Sequence, residues 1–412
     1  MRRVLPKEAE LPSSGLYTFF MSVMRPYYMK KGNVQVELQT EELQKPCVIL
    51  SNHPSFMDWI YGAAALDKNY LNIVINRYYY YNIFLARLLG KLGAIPKNLF
   101  SPDIDTIKRI KQIIKKNGMV YLFPEGRLSP HGSMEAITPA TAKLLKNLGV
   151  AVYCVHLDGA YLTKPKWADN IRKGRIDLRF SKLFTPEQLS ALSESEVLEQ
   201  VHDALHYDDF RWQEHNRVAY KKKKDFADGL QKILYMCPRC RAEFSMETDD
   251  DRIYCAQCGC GAVLNEYYDL VPLDDKGDIP KNIGEWYEWQ KNTERQRIES
   301  DRGYTLSSHV RLLRPGRKGK WFGDSGEGEA RLSREGFFYD GISDGTELHL
   351  NIPCHTLPAL PFSPGKSFEL FSHAEFYKFI PENRMESVKW SVVAEQLWTA
   401  VNEEQEKEAA DA

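Results

Sequence analysis

The chain has no apolar run long enough to cross a bilayer. Its amino-terminal stretch MRRVLPKEAELPSSG has two arginines but lacks the apolar core of a secretory signal. A cytoplasmic protein is therefore expected, one that meets the inner face of a membrane only peripherally. Cysteine is scarce, eight in 412 residues, and Cys47, Cys154 and Cys354 stand far apart. That spacing argues against a disulfide framework and for a reducing compartment. No Gly-x-Ser-x-Gly stretch occurs, so no serine nucleophile of that type is indicated.

Net charge is also nearly absent, −1 overall, but it is unevenly distributed. Residues 1–150 carry 20 Lys and Arg against 11 Asp and Glu, residues 151–230 carry 13 of each, and the remainder carries 22 against 32. The basic first part suits an anionic partner such as phospholipid headgroups, a phosphorylated substrate or an acidic carrier protein, although such asymmetry is common between domains. The acidic remainder disfavours nucleic acid. With 43% hydrophobic and 27% charged residues, the length suggests two to three globular domains.

The most informative stretch is Ser51–Asp58, SNHPSFMD, directly after the apolar run Cys47–Leu50. Inside one helix, residues five apart would stand about 140° apart in azimuth and would not meet. Pro54 at a first helical position would instead put His53 at the cap and Asp58 in the second turn. From there the carboxylate can fix the imidazole tautomer and leave the other ring nitrogen as a base. An ordinary strand-to-helix turn capped by His and Asp is the competing reading.

Onward from Cys47 short apolar runs alternate with helical patterns: Cys47–Leu50 and Trp59–Leu66, Leu71–Ile75 and Asn82–Leu92, Ile104–Lys116 and Met119–Phe123, Thr138–Leu148 and Val150–Leu157. This predicts an α/β domain with a largely parallel sheet, whose chemistry gathers at the carboxyl ends of the strands. A second stretch, YLFPEGRLSPHG at Tyr121–Gly132, sets Glu125 and Arg127 on a turn around Gly126. Gly126 permits close approach or positive φ, and Arg127 is a planar fork suited to phosphate; a plain Glu125–Arg127 salt bridge is the alternative. His131 reads as a surface loop residue. Leu16–Lys30, LYTFFMSVMRPYYMK, suits a water–lipid boundary, although packing on the protein's own core is the commoner fate of such a helix, and the tyrosines Tyr78–Tyr81 suit such a boundary or a wet domain interface.

Further on, Thr185–Phe210 reads as one or two helices and Lys221–Lys224 as a basic linker. Cys237-x2-Cys240 and Cys255-x2-Cys258 form a zinc-ribbon pattern over 234–271, in which two knuckles close a thiolate tetrahedron; Cys260 is an extra candidate ligand. Ile283–Arg302 reads as a polar linking helix. Short alternating runs within 303–402, such as Phe337–Tyr339 and Phe368–Phe371, end in a helix with Val388, Trp390, Val393 and Leu397. Strands closed by one carboxyl-terminal helix resemble, in pattern only, a pleckstrin-homology-like domain.

The pair NHPSFMD and FPEGRLS, about seventy residues apart, resembles the glycerolipid acyltransferase superfamily, which includes 1-acylglycerol-3-phosphate acyltransferases, over roughly residues 15–210. The resemblance implies that His53 is the base and Asp58 its orienter, with Asn52 part of the same motif. It also implies that Glu125, Gly126 and Arg127 help to bind the acceptor's phosphate. The sequence departs from the usual pattern at three places. Arg127 follows Gly126 directly, with Leu128 where many members have arginine; Lys97 in GAIPKN stands for an arginine; and Val150–Val155 lacks the usual proline.

The expected reaction is acyl transfer from acyl-CoA or acyl carrier protein to a lysophospholipid hydroxyl, first of all that of 1-acylglycerol 3-phosphate. Lysophosphatidylethanolamine and glycerol 3-phosphate are alternative acceptors, and a non-catalytic lipid-binding scaffold is the alternative class. Backbone N–H groups near Pro124–Gly126 or at the helix after His53 are candidates for holding the oxyanion.

Overall fold

A computed structural model of the chain describes residues 8–40, 43–66, 69–100, 103–221, 224–316, 321–372 and 375–411. Lys222 and Lys223 of the basic run, and the first seven residues, lie outside these. Two compact units result, Met1–Lys222 and Lys223–Ala412.

In the first unit the elements are α1 (Ser14–Gly32), β1 (Val34–Leu38), β2 (Cys47–Ser51), α2 (Asp58–Ala65), β3 (Leu71–Asn76), α3 (Ile83–Lys91), β4 (Ile95–Lys97), α4 (Ile104–Lys115), β5 (Met119–Leu122), α5 (Ala140–Leu148), β6 (Ala151–Asp158), α6 (Ala160–Thr163) and β7 (Ile176–Phe184). Two helices fill the stretch Thr185–Phe210 as expected, α7 (Pro186–Ala191) and α8 (Glu194–Leu205), and α9 (Asp209–Asn216) begins at its end. Capping boxes at Thr185 and Ser193 start the first two separately.

The strands form one sheet in the order β1-β7-β6-β2-β5-β3-β4, and every adjacent pair is parallel except β6 with β7. Alternation along β2 divides the core. Val48 and Leu50 pack with Ile110, Ile113, Ala142, Leu145 and Val197 on one face. Cys47 and Ile49 pack with Tyr61, Ala63 and Tyr153 on the other. A sheet covered on both faces needs apolar residues at consecutive positions, which is why CVIL reads as an unbroken run.

The two cores also fix where the site lies. After β2 the chain goes to α2 on one face, and after β5 it goes to α5 on the opposite face. The chain thus leaves the carboxyl ends of neighbouring strands toward opposite faces, the topological switch point at which doubly wound sheets bind their ligands.

In the second unit four short strands, β8 (Met246–Asp249), β9 (Arg252–Cys255), β10 (Gly261–Leu264) and β11 (Leu270–Pro272), form an antiparallel ribbon. Helix α10 (Ile283–Ser300) follows. It is no polar linker: Trp286, Gln290 and Glu294 are fully buried. Trp286 Nε1 donates to the Met236 carbonyl at 3.1 Å, and Gln290 bonds Met236 N and Ile233 O at 3.0 and 3.1 Å.

Seven further strands, β12 (Leu306–Pro315), β13 (Phe322–Leu332), β14 (Gly336–Ser343), β15 (Thr346–Pro353), β16 (Phe362–Ser363), β17 (Ser367–Ser372) and β18 (Glu375–Pro381), form an antiparallel sheet in the order β15-β14-β13-β12-β18-β17-β16. The final helix α11 (Glu386–Asp411) closes it, with Trp390 stacked on Phe368 at 4.6 Å.

Candidate active site

The register of β2 and β5 builds the site. Leu50 faces Leu122, so His53 and Glu125, each three residues further on, leave the sheet side by side. The His53 N–H donates to Glu125 Oε1 at 2.6 Å, and the Glu135 N–H donates to Oε2 at 2.8 Å. Glu125 is thus a buried brace that ties the two loops to each other.

His53 Nδ1 lies 3.1 Å from Asp58 Oδ2, and the same oxygen accepts the Ser55 N–H at 2.7 Å. The route to this contact differs from the expected one. Helix α2 begins at Asp58, not at Pro54, and residues 54–57 form a turn closed by the Ser55–Asp58 bond. Asp58 therefore sits in the first helical turn and reaches backward to the imidazole. Because Oδ2 already acts as an acceptor, Nδ1 carries the hydrogen and Nε2 is left to take a proton. Phe123 stacks on the imidazole, with centroids 3.9 Å apart and planes at 18°.

Burial, and after it the charge of Lys166, pushes the His53 imidazolium down to about 3. Burial likewise raises the Asp58 carboxyl well above its usual range, against the pull of the Ser55 N–H. Both shifts disfavour an ion pair, so the resting imidazole is neutral. For Glu125 burial comes first and raises the carboxyl to about 8; the N–H groups of Glu135 and His53 oppose the rise. A base with so low a pKa stays unprotonated as pH falls. We therefore expect kcat/KM for the thioester donor to show no acid limb at the ordinary histidine pKa of about 6.5. An inflection near 8 would report the buried carboxyls of Glu125 and Asp58, which raise each other's charge cost, rather than the imidazole. Half-loss of activity near pH 6.5 would show that His53 is not held in this way.

The other expected site residues separate into two groups. Asn52 is fully buried and commits both ends of its amide to Leu157, donating to its carbonyl at 2.8 Å and accepting from its N–H at 2.9 Å. It reaches an acceptor only through the loop it holds. Arg127 reaches Glu135, with its Nε donating to Glu135 Oε2 at 2.7 Å and its Nη2 to the same oxygen, and its charge also opposes the rise of the Glu125 carboxyl. Gly126 has φ +69° with open space where a Cβ would stand, but its N–H donates to the Phe123 carbonyl at 3.1 Å and is committed there. Lys97 ends β4, three strands from β2 and so about 14 Å away across the sheet, and burial lowers its pKa. His131 is buried, not a surface residue, with Nδ1 3.6 Å from Glu135 Oε1.

Three residues escape a motif-based reading. Ser55 was legible as a turn residue three before Asp58. Lys166 follows the carboxyl end of β6 in a loop whose Lys164 carbonyl accepts from Ser55 Oγ at 3.1 Å. Glu135 stands eight residues from its partner Arg127, and no local spacing marks it.

In the second unit the sulfurs of Cys237, Cys240, Cys255 and Cys258 lie within 4.8 Å of one another, with separations of 3.6 Å for Cys237–Cys258 and 3.7 Å for Cys240–Cys255. A tetrahedral zinc with Zn–S of about 2.3 Å requires S···S of about 3.8 Å, so the donor set fits that ion. Cys260 is buried outside the group of four. Arg239 is engaged by Asp274 and Asp278, and Arg241 lies over Trp289 with Nη1 on Thr293. Neither is presented for phosphate.

Comparison with known proteins places this geometry. Residues 32–158 match the family model described as Acyltransferase. The chain is 28% identical over 152 residues to the chloroplastic 1-acyl-sn-glycerol-3-phosphate acyltransferase BAT2 of Brassica napus, which covers 35% of this chain and 42% of that protein. It is 31% identical over 129 residues to the 1-acyl-sn-glycerol-3-phosphate acyltransferase of Pseudomonas aeruginosa, over 30% and 49% of the two chains. The match thus spans less than half the length of these curated relatives. Among solved structures, the 1-acyl-sn-glycerophosphate acyltransferase PlsC of Thermotoga maritima aligns at 17% identity and a TM-score of 0.37, over 46% of this chain and 78% of that one. The domain that carries the two motifs is thus similar, over residues 32–158, to the acyltransferases of that family model.

Proposed function

We propose that the first unit transfers a fatty acyl group from a thioester donor, acyl-CoA or acyl carrier protein, to the free hydroxyl of a lysophospholipid, with 1-acylglycerol 3-phosphate as the acceptor. The observation that carries this reading is the His53–Asp58 pair at 3.1 Å beside the buried Glu125, at the topological switch point. The names of the relatives supply the acceptor.

In the reaction Nε2 of His53 removes the proton from the acceptor hydroxyl as its oxygen bonds to the thioester carbon. The tetrahedral adduct collapses with cleavage of the C–S bond, and the imidazolium returns the proton to the departing thiolate. An imidazolium disfavoured by burial and by Lys166 is a strong acid, which suits that second transfer. Arg127 and Glu125, with Lys97 further out, form the acceptor side; the cationic guanidinium is the group suited to the phosphate.

Contact with a membrane surface belongs to the same proposal. No helix among the described residues is long and apolar enough to cross a membrane. Helix α1 nonetheless exposes Phe19, Val23 and Tyr27, spaced four apart on one stripe, with Lys30 and Lys31 in its last turn; α3 exposes Phe84 at 75% and Leu88. Such a stripe with a basic end fits the lipid–water boundary. We also propose that the four cysteines hold a structural zinc, which would tie the two knuckles together.

The test is to incubate purified protein and liposomes with labelled acyl-CoA or acyl carrier protein, across a panel of lysophospholipids and glycerol 3-phosphate. Product from 1-acylglycerol 3-phosphate is expected, together with co-sedimentation with anionic liposomes. Liposome binding without product from any acceptor would replace the enzyme by a lipid-binding scaffold.

A further inference from the structure

Glu135 lies in neither motif, yet both of its polar ends enter the site. Its backbone N–H holds Glu125 Oε2 at 2.8 Å, and the other oxygen of Glu125 holds the His53 N–H at 2.6 Å. Its carboxylate takes Nε and Nη2 of Arg127 on a single oxygen, and the two side chains are only 12% and 5% exposed. The chain turns back to make this possible through Ser129, whose Oγ accepts the Gly132 N–H at 3.0 Å and donates to the Ser133 carbonyl at 2.7 Å. A continuous path therefore runs from the His53 amide through Glu125 and Glu135 to the Arg127 guanidinium.

We propose that Glu135 is the positioning residue of the acceptor subsite: its carboxylate sets the Arg127 fork for the acceptor's phosphate while its backbone sets Glu125 beside His53. The proposal rests on the reading above that Arg127 meets that phosphate. Its physical basis is orientation. Arginine has a long side chain with many rotamers, and a carboxylate that clamps one edge of its fork removes most of them and fixes the plane of the guanidinium. The hydroxyl end and the phosphate end of the acceptor are then held at a set separation by one residue, and reaction geometry tolerates little error in such a separation.

Glu135→Gln keeps the backbone N–H and removes the charge that clamps Arg127. The expected result is a rise in the KM for 1-acylglycerol 3-phosphate of roughly 10-fold or more, with a much smaller change in kcat and in the donor KM. The ratio of its rate to that on monoacylglycerol, which has the hydroxyl but no phosphate, should fall. Combined with Arg127→Gln, the second substitution should add nothing to the first, because the two act as a unit. An unchanged acceptor KM, or two effects that multiply, overturns the proposal. Circular dichroism checks folding; if the glutamine variant is unfolded, Glu135→Asp carries the same cycle, with a smaller rise in KM expected. Should the unchanged protein turn over no acceptor, the function reading fails by itself. The cycle is then read by calorimetry with short-chain 1-acylglycerol 3-phosphate, where equal affinity in all variants still overturns the role of Glu135.

Discussion

Replacing His53 by alanine is expected to lower kcat/KM by roughly 10²- to 10⁴-fold, the usual contribution of a positioned general base. The fold should survive. The His53 side chain is 18% exposed, sits on a turn after β2, and contributes to the frame mainly through its backbone N–H on Glu125, which alanine retains. What alanine removes is the proton acceptor, so the loss should fall on the chemical step and leave thermal stability close to that of the unchanged protein. Asp58→Ala separates structure from chemistry in the opposite way. It removes the partner of the Ser55 N–H as well as the orienter of the ring, and an orphaned buried donor costs about 1–3 kcal/mol. That variant should therefore lose activity and melt at a lower temperature, whereas His53→Ala loses activity alone. A His53→Ala protein that transfers acyl groups at the unchanged rate would eliminate the base assignment.

Metal removal has the other large expected effect. The purified protein should contain about one zinc per chain, and stripping it with a chelator should unfold the ribbon and with it much of the second unit. The flanks of the first knuckle explain the reach of this effect. Tyr235 OH donates to Glu294 at 2.9 Å, Met236 N to Gln290 at 3.0 Å and Arg241 to Thr293 at 3.1 Å, all on α10. Glu243 accepts from Lys389 of α11 at 2.6 Å and from Arg297 of α10. Glu294, fully buried, takes Tyr304 OH at 2.9 Å from the segment leading into β12. A structural zinc in a small module supplies about 10–16 kcal/mol at neutral pH, comparable to the 5–15 kcal/mol of a whole domain. Its loss would leave buried charges in this network without their frame. Metal analysis and thermal melts with and without chelator test this; a metal-free protein that melts at the same temperature with its ribbon intact would refute it.

The alternation of apolar runs and helical patterns was enough to place β2, β3, β5 and β6 within a residue, because strands buried on both faces leave an unbroken apolar signature, whereas the three-residue β4 left no such run. The cysteine spacing announced the four-thiol group for a similar local reason: a knuckle needs only two residues between its ligands. Helix starts were less legible. Pro54 pointed to a helix beginning there, yet the Ser55 N–H closes on Asp58 and α2 starts four residues later. Residues Ile283–Arg302 looked polar because Gln290, Thr293 and Glu294 are buried beside Trp286, Tyr287 and Ile298, and the partners of those polar groups lie elsewhere in the chain.

By itself the sequence determined which residue types are available and on which loops: a His and an Asp after one strand, a Glu and an Arg after another, four thiols in two knuckles. These are short-range matters of spacing and periodicity. Only the tertiary structure decided that β2 and β5 are neighbours in register, that Asn52 belongs to Leu157 and that Arg127 belongs to Glu135. Each of those choices joins residues through the folded core, and the polar groups take the partners that burial leaves within reach, because a buried donor or acceptor without one is costly.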